Sequence, residues 1–383
     1  MGLRPPHLAF LRYLGQLRAE TTVSSRTFRF RLPHRLQVTA MNSAISSPRF
    51  ALGTFSVAGC TPFVGLVLNE QVIALSALGS VLARSGAASL AQSATTLDVL
   101  ADWPSAFQAL AIAAAAIAAG EVPEAALVPV ASLRVHAPVA PRQVFCAGAN
   151  YKKHVVDYMV DMNVPELRHL ETREEKFAYA VKAVDERAVH GRPYLFIKLP
   201  SCLTGPYDTI NLPADVKQAD WEVELAAVIG RPARHVKAAD ALNYVAGYTI
   251  ANDTSARELL FREDFKAMGT DWLACKSTPA WAPLGPYLVP SAFIADPHGL
   301  RLQLKLNGEI KQDATTNDMV FNINRQIEFL SHHVQLLPGD VICTGSPAGN
   351  GSHYKRFLQP GDVVECFIDQ LGTQRNVCAA EKI

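Results

Sequence analysis

Alternating and continuous apolar positions divide the chain into predicted strands and turns. Two apolar runs surround Asn69-Glu70 and predict a β-hairpin near the start of the ordered pattern. A second hairpin is predicted in LRLQLKLNGEIKQD, because Asn307-Gly308 supplies the residues that tolerate positive φ at a two-residue turn. Further strands are expected in YLFIKLP, WEVELAAVIG, YVAGYTIAND and LGPYLVP.

Helical spacing is found in fewer places. Residues 96–120 are helical in pattern with a break at Pro104, and the uncharged run 109–119 predicts a packed helix. Residues 161–192 are dense in charge and predict either a solvated helix or a mobile lid. One amphipathic helix is predicted from the spacing of Ile323, Ile327, Leu330 and Val334.

These elements predict an α+β protein in which strands dominate the larger part. No G-x-G-x-x-G follows a strand, no G-x-x-x-x-G-K-[ST] occurs, and strands and helices do not alternate regularly, so nucleotide-binding α/β folds are disfavoured. We expect a small α+β domain at 50–135, a proline-containing linker, and a larger domain at 144–383. Residues 1–45 form a separate Arg-rich extension in this scheme.

Composition argues against several classes of partner. The net charge of +1 gives no electrostatic case for nucleic acid or an anionic membrane. The longest apolar run has eleven residues and is too short to cross a bilayer, which predicts no membrane association. Seven scattered cysteines without a C-x-x-C pair predict reduced thiols in an intracellular protein.

The first forty residues differ from the rest of the chain. They contain seven arginines, no lysine and a single acid, Glu20. Such a segment is typical of a mitochondrial transit peptide. The alternatives are a disordered extension or a true start at Met41, where an ordinary soluble sequence begins. We expect a cytoplasmic protein, or a mitochondrial one if the segment is a genuine transit peptide.

Three carboxylates are the candidates for chemistry. Glu222 and Glu224 are two residues apart on a predicted strand, so they project from the same face while Val223 and Leu225 point the other way. Asp253 follows the next apolar strand. The alternatives are a solvent-facing strand for the glutamates and a helix N-cap or Asx-turn for Asp253. Clustered carboxylates without His or Cys would favour a hard cation, Mg²⁺, Mn²⁺ or Ca²⁺, over Zn²⁺.

Several longer segments lie in a characteristic order around these carboxylates. They are GANYKKHVVD, FIKLPSCLTGPYDTINLP, GYTIANDTSAR, ACKSTPAWAPLGPYLV, LLPGDVICTGSPAGNG and LQPGDVVECFIDQLGTQRN. Together they cover about 144–380 and resemble the conserved elements of the fumarylacetoacetate hydrolase family. The resemblance implies a strand-rich fold of the β-roll or sandwich type. It also implies that Glu222, Glu224 and Asp253 bind the metal.

The resemblance assigns roles to further residues. Lys276 matches a lysine beside the metal that contacts substrate oxygens. His154 matches a histidine that activates water in hydrolytic members, and Asp157 replaces the glutamate that pairs with it in many relatives. Thr344 matches a threonine that approaches substrate, with Ser346 in place of a second threonine.

Two basic residues each have two possible roles. Lys198 matches the lysine of the family's F-x-K segment and is expected to bind substrate, with a structural salt bridge as the alternative. Arg257 is expected either to hold a substrate carboxylate or to neutralise the acidic cluster.

The resemblance implies a small 2-oxo acid or 1,3-diketo acid as substrate and a homodimer as assembly. Our first hypothesis is a metal-dependent hydrolase that cleaves a C–C bond in an acylpyruvate-like or fumarylacetoacetate-like compound, with water activated by His154 and Asp157. The second is a decarboxylase, hydratase or isomerase of a 2-oxo acid of the oxaloacetate or hydroxy-diene-dioate type. A catalytically silent binding protein is the third.

Overall fold

The computed structural model describes residues 48–382. The predicted Arg-rich extension at 1–45 therefore lies outside the described residues. The α-helices of the described part are α1 Gly79–Arg84, α2 Thr96–Leu100, α3 Trp103–Ala118, α4 Lys152–Asp161, α5 Arg173–His190, α6 Trp272–Lys276, α7 Ile323–His333 and α8 Gly351–Tyr354.

Strands make up most of the remaining regular structure, which confirms the α+β class. They are β1 Ala51–Ser56, β2 Phe63–Leu68, β3 Gln71–Ala74, β4 Val128–Pro129, β5 Arg134–His136, β6 Val144–Gly148, β7 Tyr194–Lys198, β8 Leu203–Thr204, β9 Ile210–Leu212, β10 Ala219–Asp220, β11 Val223–Ile229, β12 Val245–Asn252, β13 Ser255–Ala256, β14 Ala282–Pro290, β15 Arg301–Leu306, β16 Glu309–Thr315, β17 Val341–Cys343, β18 Val363–Ile368 and β19 Gly372–Ala380.

Two large sheets contain most of these strands, and β10 and β13 form a separate two-stranded sheet. The larger has the order β4-β3-β2-β1-β14-β12-β11-β17-β6-β7, with β5 beside β1 and β8 beside β14. The smaller has the order β16-β15-β18-β19-β9 and lies against the larger one where β19 meets β14 and β15 meets β11. Because β1 pairs with β14, strands from the predicted 50–135 region belong to the same sheet as those of the larger region. The domain division at 50–135 and 144–383 stays a prediction.

Strand β11 lies at the centre of the larger sheet and is buried along its whole length. Val223, Leu225 and Ala227 join the core between the two sheets, whereas Ala226 and Val228 join the core beneath the alanine-rich helix α3. A strand directs alternate side chains to opposite faces, so Glu224 shares the α3-facing side with Ala226. The predicted orientation of Val223 and Leu225 away from the glutamates is confirmed.

Both predicted hairpins are confirmed. β2 and β3 pair antiparallel across Asn69-Glu70, and both turn residues have positive φ (46° and 62°). β15 and β16 pair across Asn307-Gly308, again with positive φ at both positions (53° and 84°). These values belong to the two-residue turn whose twist matches that of the flanking strands.

The helix predictions hold with adjustments at their ends. The alanine-rich run lies in α3, where most alanines are buried, and Pro104 stands in its first turn, where a missing N–H is tolerated. The charged segment contains α5, which begins with a capping box between Thr172 and Glu175. Val334 caps α7 rather than lying within it. Among the described residues, no helix has the length and apolar character needed to span a membrane.

Candidate metal centre

The two central strands bring three carboxylates together. Glu222 immediately precedes β11, Glu224 lies within it, and Asp253 immediately follows the antiparallel partner β12. Val223 pairs with Asn252, and the Asp253 N–H donates to the Glu222 carbonyl at 2.9 Å, so the strand ends are in register. One carboxylate oxygen from each of the three residues lies within 4.8 Å of the others, and all three side chains are buried. Neither a solvent-facing strand nor a helix N-cap describes these positions.

Two buried lysines reach the same carboxylates. Lys276, the last residue of α6, donates from Nζ to Glu222 Oε2 and to Asp253 Oδ2, each at 2.6 Å. Lys198, the last residue of β7, donates from Nζ to Asp253 Oδ1 at 2.6 Å and to the Thr254 carbonyl at 2.8 Å. Although burial opposes it, the charges of Asp253 and Glu222 raise the pKa of Lys276 above its usual value. Both oxygens of Asp253 are thus held by ammonium groups.

Arg257 follows β13 and bridges two acids. Its Nε donates to Asp220 Oδ2 at 2.8 Å, and its Nη2 donates to Glu222 Oε1. Burial would raise the pKa of Glu222, but the positive charges of Arg257 and Lys276 hold it below its usual value. Of the two roles expected for Arg257, neutralising the acidic cluster matches these contacts.

Within the described part of the chain, Glu224 forms no ion pair with a cationic side chain. Its Oε2 accepts from the Gly345 N–H at 2.7 Å, and burial together with the charge of Asp253 raises its pKa well above the usual value. Four buried carboxylates (Asp220, Glu222, Glu224 and Asp253) face three cationic side chains (Lys198, Lys276 and Arg257), so one negative charge is left over. A divalent cation would more than compensate this charge and leave the centre with an excess of one positive charge, and an all-oxygen donor set suits Mg²⁺, Mn²⁺ or Ca²⁺. The residues therefore fit a hard metal ion.

The loop after β17 contacts strand β11 beside Glu224. Thr344 Oγ1 donates to the Leu225 carbonyl at 2.8 Å and is buried, so the hydroxyl expected to approach substrate is engaged with the backbone of β11. Gly345 has φ +101°, and a Cβ there would lie 2.8 Å from Asn150 Cβ. A glycine is thus required for the loop to present its N–H to Glu224.

His154 and Asp157 lie one turn apart on α4. His154 is partly buried, and burial lowers its pKa, while the nearby charge of Glu222 opposes that shift. Asp157 Oδ2 accepts from Lys153 Nζ at 2.5 Å. His154 and Asp157 both lie in the described part of the chain, and no hydrogen bond joins them. The charges of Glu222 and Asp157 therefore both act on the His154 imidazole, and Asp157 forms its ion pair with Lys153.

A family model with the description "Fumarylacetoacetate (FAA) hydrolase C-terminal" matches residues 143–379. The chain belongs to the fumarylacetoacetate hydrolase family. The matched region contains all nine candidate site residues, together with both central strands and the loop after β17.

Relatives within the fumarylacetoacetate hydrolase family carry different activities in their names. The mitochondrial oxaloacetate tautomerase Fahd2a of Rattus norvegicus is 40% identical over 267 residues, which are 69% of this chain and 74% of that protein. The 5-carboxymethyl-2-hydroxymuconate delta-isomerase of Mycobacterium smegmatis is 31% identical, with a TM-score of 0.51 over 67% of this chain and 83% of that one. The fumarylacetoacetate hydrolase of the psychrophile Exiguobacterium antarcticum is 26% identical, with a TM-score of 0.65 over 87% of this chain and 100% of that one. The fumarylacetoacetate hydrolase-like fold is confirmed by these structures.

Two residues that sequence reasoning did not single out also serve this family site. Asp220 is wholly buried beside Arg257. Asn150 donates from Nδ2 to the carbonyls of Thr344 and Phe321, at 2.7 and 3.0 Å, and so fixes the start of α4 to the loop after β17. Asp220 could have been identified from the sequence as a charged residue beside Trp221 in an apolar stretch. Asn150 could have been identified as a polar residue that follows strand β6.

Proposed function

We propose that the protein is a divalent-metal-dependent isomerase that interconverts the enol and keto forms of a small dicarboxylic 2-oxo acid of the oxaloacetate type. The observation that carries the proposal is the 40% identity with an oxaloacetate tautomerase over 69% of this chain. The proposal is also supported by Asp157, which pairs with Lys153 and, in the described part of the chain, has no hydrogen bond to His154, the contact that a water-activating pair uses. Hydrolysis of a C–C bond, our first hypothesis from sequence, becomes the competing candidate, and the fold-level likeness to a fumarylacetoacetate hydrolase is what favours it.

Glu222, Glu224 and Asp253 would hold the metal ion. When bound, the ion would act as a Lewis acid that polarises the 2-oxo oxygen and orients the substrate. We propose Mg²⁺ or Mn²⁺ as the ion, since both accept carboxylate and water ligands.

The chain's own groups account for the proton transfers. In ketonisation the proton that leaves the oxygen on C2 passes to the neutral imidazole of His154, and the imidazolium delivers a proton to C3, so atoms and charge balance without water as a reactant. Lys276 has three N–H donors, and its third contact, to the Asp253 carbonyl, is long at 3.3 Å. A substrate oxygen on C2 can replace this contact, and the ammonium then stabilises the negative charge that develops there.

His154 is the group proposed to exchange the proton at C3. Because burial lowers its pKa, the imidazole is neutral near pH 7 and can accept a proton from C3 in the keto form. The imidazolium then passes that proton to the enolate oxygen on C2, and ketonisation reverses both transfers. Helices α4 and α5 pack through their own apolar cluster, which includes Val156 and Val184, and they would shield this exchange from bulk water.

Two variants on α4 distinguish the candidates. His154→Gln should lower kcat for ketonisation by about 10² or more, the usual contribution of one general acid–base group. Asp157→Asn should lower it less than about threefold, because the exposed Lys153 pairs with Asp157 and such pairs contribute little. Ketonisation is followed by the loss of enol absorbance, or by malate dehydrogenase, which consumes the keto form.

The competing candidate makes a different prediction for the same proteins. Metal-dependent release of acetate and pyruvate from acetylpyruvate, lost in both variants, would support the hydrolase and contradict the tautomerase. Decarboxylation would be recognised by pyruvate formation from oxaloacetate.

A homodimer is also part of the proposal. Strand β7 ends the larger sheet, and Ile197 on it is 63% exposed. Leu273 on α6 is 66% exposed, and its neighbour Trp272 stacks on Phe196 of β7 at 4.4 Å. Ile197→Asp combined with Leu273→Asp should convert a dimer into a monomer in sedimentation analysis. Val189→Asp, on a 68% exposed valine of α5, is the matched control and should leave the mass unchanged.

The relative Fahd2a is named as a mitochondrial protein, which supports a mitochondrial location for this chain. It supports a transit peptide in the Arg-rich residues 1–40, which lie outside the described residues. Mass spectrometry of the N terminus of the endogenous protein tests this. A mature end produced by processing within the Arg-rich segment supports import, whereas an unprocessed start at Met41 supports a cytoplasmic protein.

A further inference from the structure

Among residues 48–382, Asp220 accepts more hydrogen bonds than any other carboxylate outside the proposed metal triad. It is wholly buried and accepts five hydrogen bonds. Its Oδ1 accepts from the N–H groups of Trp221 and Gly351, and its Oδ2 accepts from Arg257 Nε, from Ser352 N–H and from Ser352 Oγ. With both oxygens engaged in this way, the carboxylate has one orientation available.

The orientation of Asp220 fixes that of Arg257. The guanidinium is planar and rigid, so a bond from Nε to Asp220 determines where Nη2 points. Nη2 donates to Glu222 Oε1. On the other oxygen, Glu222 Oε2 accepts from Lys276 Nζ at 2.6 Å and from Ser255 Oγ at 3.4 Å. The rotation of the Glu222 carboxylate is therefore set through a chain that begins at Asp220.

We infer that Asp220 is a positioning residue that acts through Arg257 to orient Glu222 for the metal ion. Asp220 contributes no oxygen to the carboxylate triad. Partners that hydrogen-bond a metal-ligating carboxylate typically change metal affinity by 10–100-fold when they are removed. The inference rests on the metal site within the proposed function and does not depend on which substrate is converted.

The test measures Mn²⁺ binding in the absence of substrate. Asp220→Asn should raise the Kd for Mn²⁺ about tenfold or more, as measured by the EPR signal of free Mn²⁺ or by calorimetry. Asp340→Asn is the matched control. Asp340 is also wholly buried and accepts from Gln143 Nε2 and the Leu337 N–H at 2.7 Å, but it precedes β17 at the end remote from Thr344. This control should leave the Kd for Mn²⁺ within about twofold, even if its Tm falls.

Arg257→Lys supplies the second variant. A lysine keeps the charge but has one nitrogen, so it cannot bridge Asp220 and Glu222 as the guanidinium does. This variant should weaken Mn²⁺ binding to a similar degree, and adding Asp220→Asn to it should cause little further change. It also tests the inference if Asp220→Asn alone does not fold.

Three results would overturn the inference. The first is a Kd for Mn²⁺ that stays within twofold in Asp220→Asn, and the second is an unchanged Kd in Arg257→Lys. The third is independent, multiplicative effects of the two substitutions, which would indicate that Asp220 acts only by its charge. None of these results depends on tautomerase activity, so the positioning role and the proposed reaction can fail separately.

Discussion

Glu224→Gln is expected to abolish metal-dependent turnover while leaving the metal-free protein at least as stable as wild type. The substitution removes one of the three proposed carboxylate ligands and with it several kcal/mol of charge stabilisation in the transition state. At 1.4 kcal/mol per factor of ten, we expect a loss of about 10³-fold or more in kcat/KM. Mn²⁺ should also no longer raise the Tm, because an ion stabilises only the state that binds it.

The expected stability follows from the surroundings of Glu224. Burial and the charge of Asp253 raise its pKa, so the ionised carboxylate is unfavourable without a cation. The amide of glutamine has nearly the same shape and can still accept from the Gly345 N–H. Thermal unfolding in EDTA checks this result, with Glu365→Gln on β18 as a control. A large fall in Tm in EDTA for Glu224→Gln would contradict the assignment of Glu224 as an uncompensated ligand.

Lys276→Met is expected to lose both activity and stability, in contrast to Glu224→Gln. The ammonium group compensates the buried carboxylates of Glu222 and Asp253, and removing one partner from a buried ion pair costs about 3–5 kcal/mol. Activity should fall by about 10²–10³-fold, the loss expected when one stabilising donor is removed from a developing oxyanion. Mn²⁺ should restore much of the lost stability, since it brings positive charge to the same carboxylates, but it should not restore the activity.

Lys198→Met provides the matched comparison for Lys276→Met. Both lysines are 2% exposed and both bind Asp253, but Lys198 does not contact Glu222. If Lys198 is structural, its variant should be destabilised to a similar degree and should recover activity when saturated with Mn²⁺. Equal and unrecoverable losses of activity in both variants would instead assign Lys198 a direct role toward substrate, as the family resemblance implied.

Local periodicity was enough to predict the orientation of the central carboxylates. Side chains two residues apart on a strand share a face, so Glu222 and Glu224 were expected together without knowledge of the neighbouring strands. The turns at Asn69-Glu70 and Asn307-Gly308 were predictable for the same reason, because their conformational requirement lies within two residues.

Contacts that depend on several distant segments could not be predicted in this way. The pairing of β1 with β14 joins residues more than two hundred positions apart, and no local pattern of apolar residues indicates that pairing. The role of Asp220 could not be predicted because its hydrogen-bond donors include residues 257, 351 and 352, which are distant from it in the sequence. The Lys153–Asp157 contact was accessible to sequence reasoning, since four residues on a helix bring side chains together as well as three do. The pairing of His154 with Asp157 that the family resemblance implies therefore competes with the ion pair between Lys153 and Asp157.

The bonds between the loop at 344–352 and the strand segment at 220–225 affect the order of folding. Thr344 is hydrogen-bonded to Leu225, Gly345 to Glu224 and Ser352 to Asp220, at sequence separations of 119 to 132 residues. Contacts this far apart form late, because closing a long loop costs entropy before any bond is gained. During synthesis, the carboxylates of the segment at 220–225 can therefore be fixed only after the C-terminal loop has been made. We expect the metal ion to enter a chain whose sheets have already formed, unlike the ion of a zinc finger, which drives the folding of its own domain.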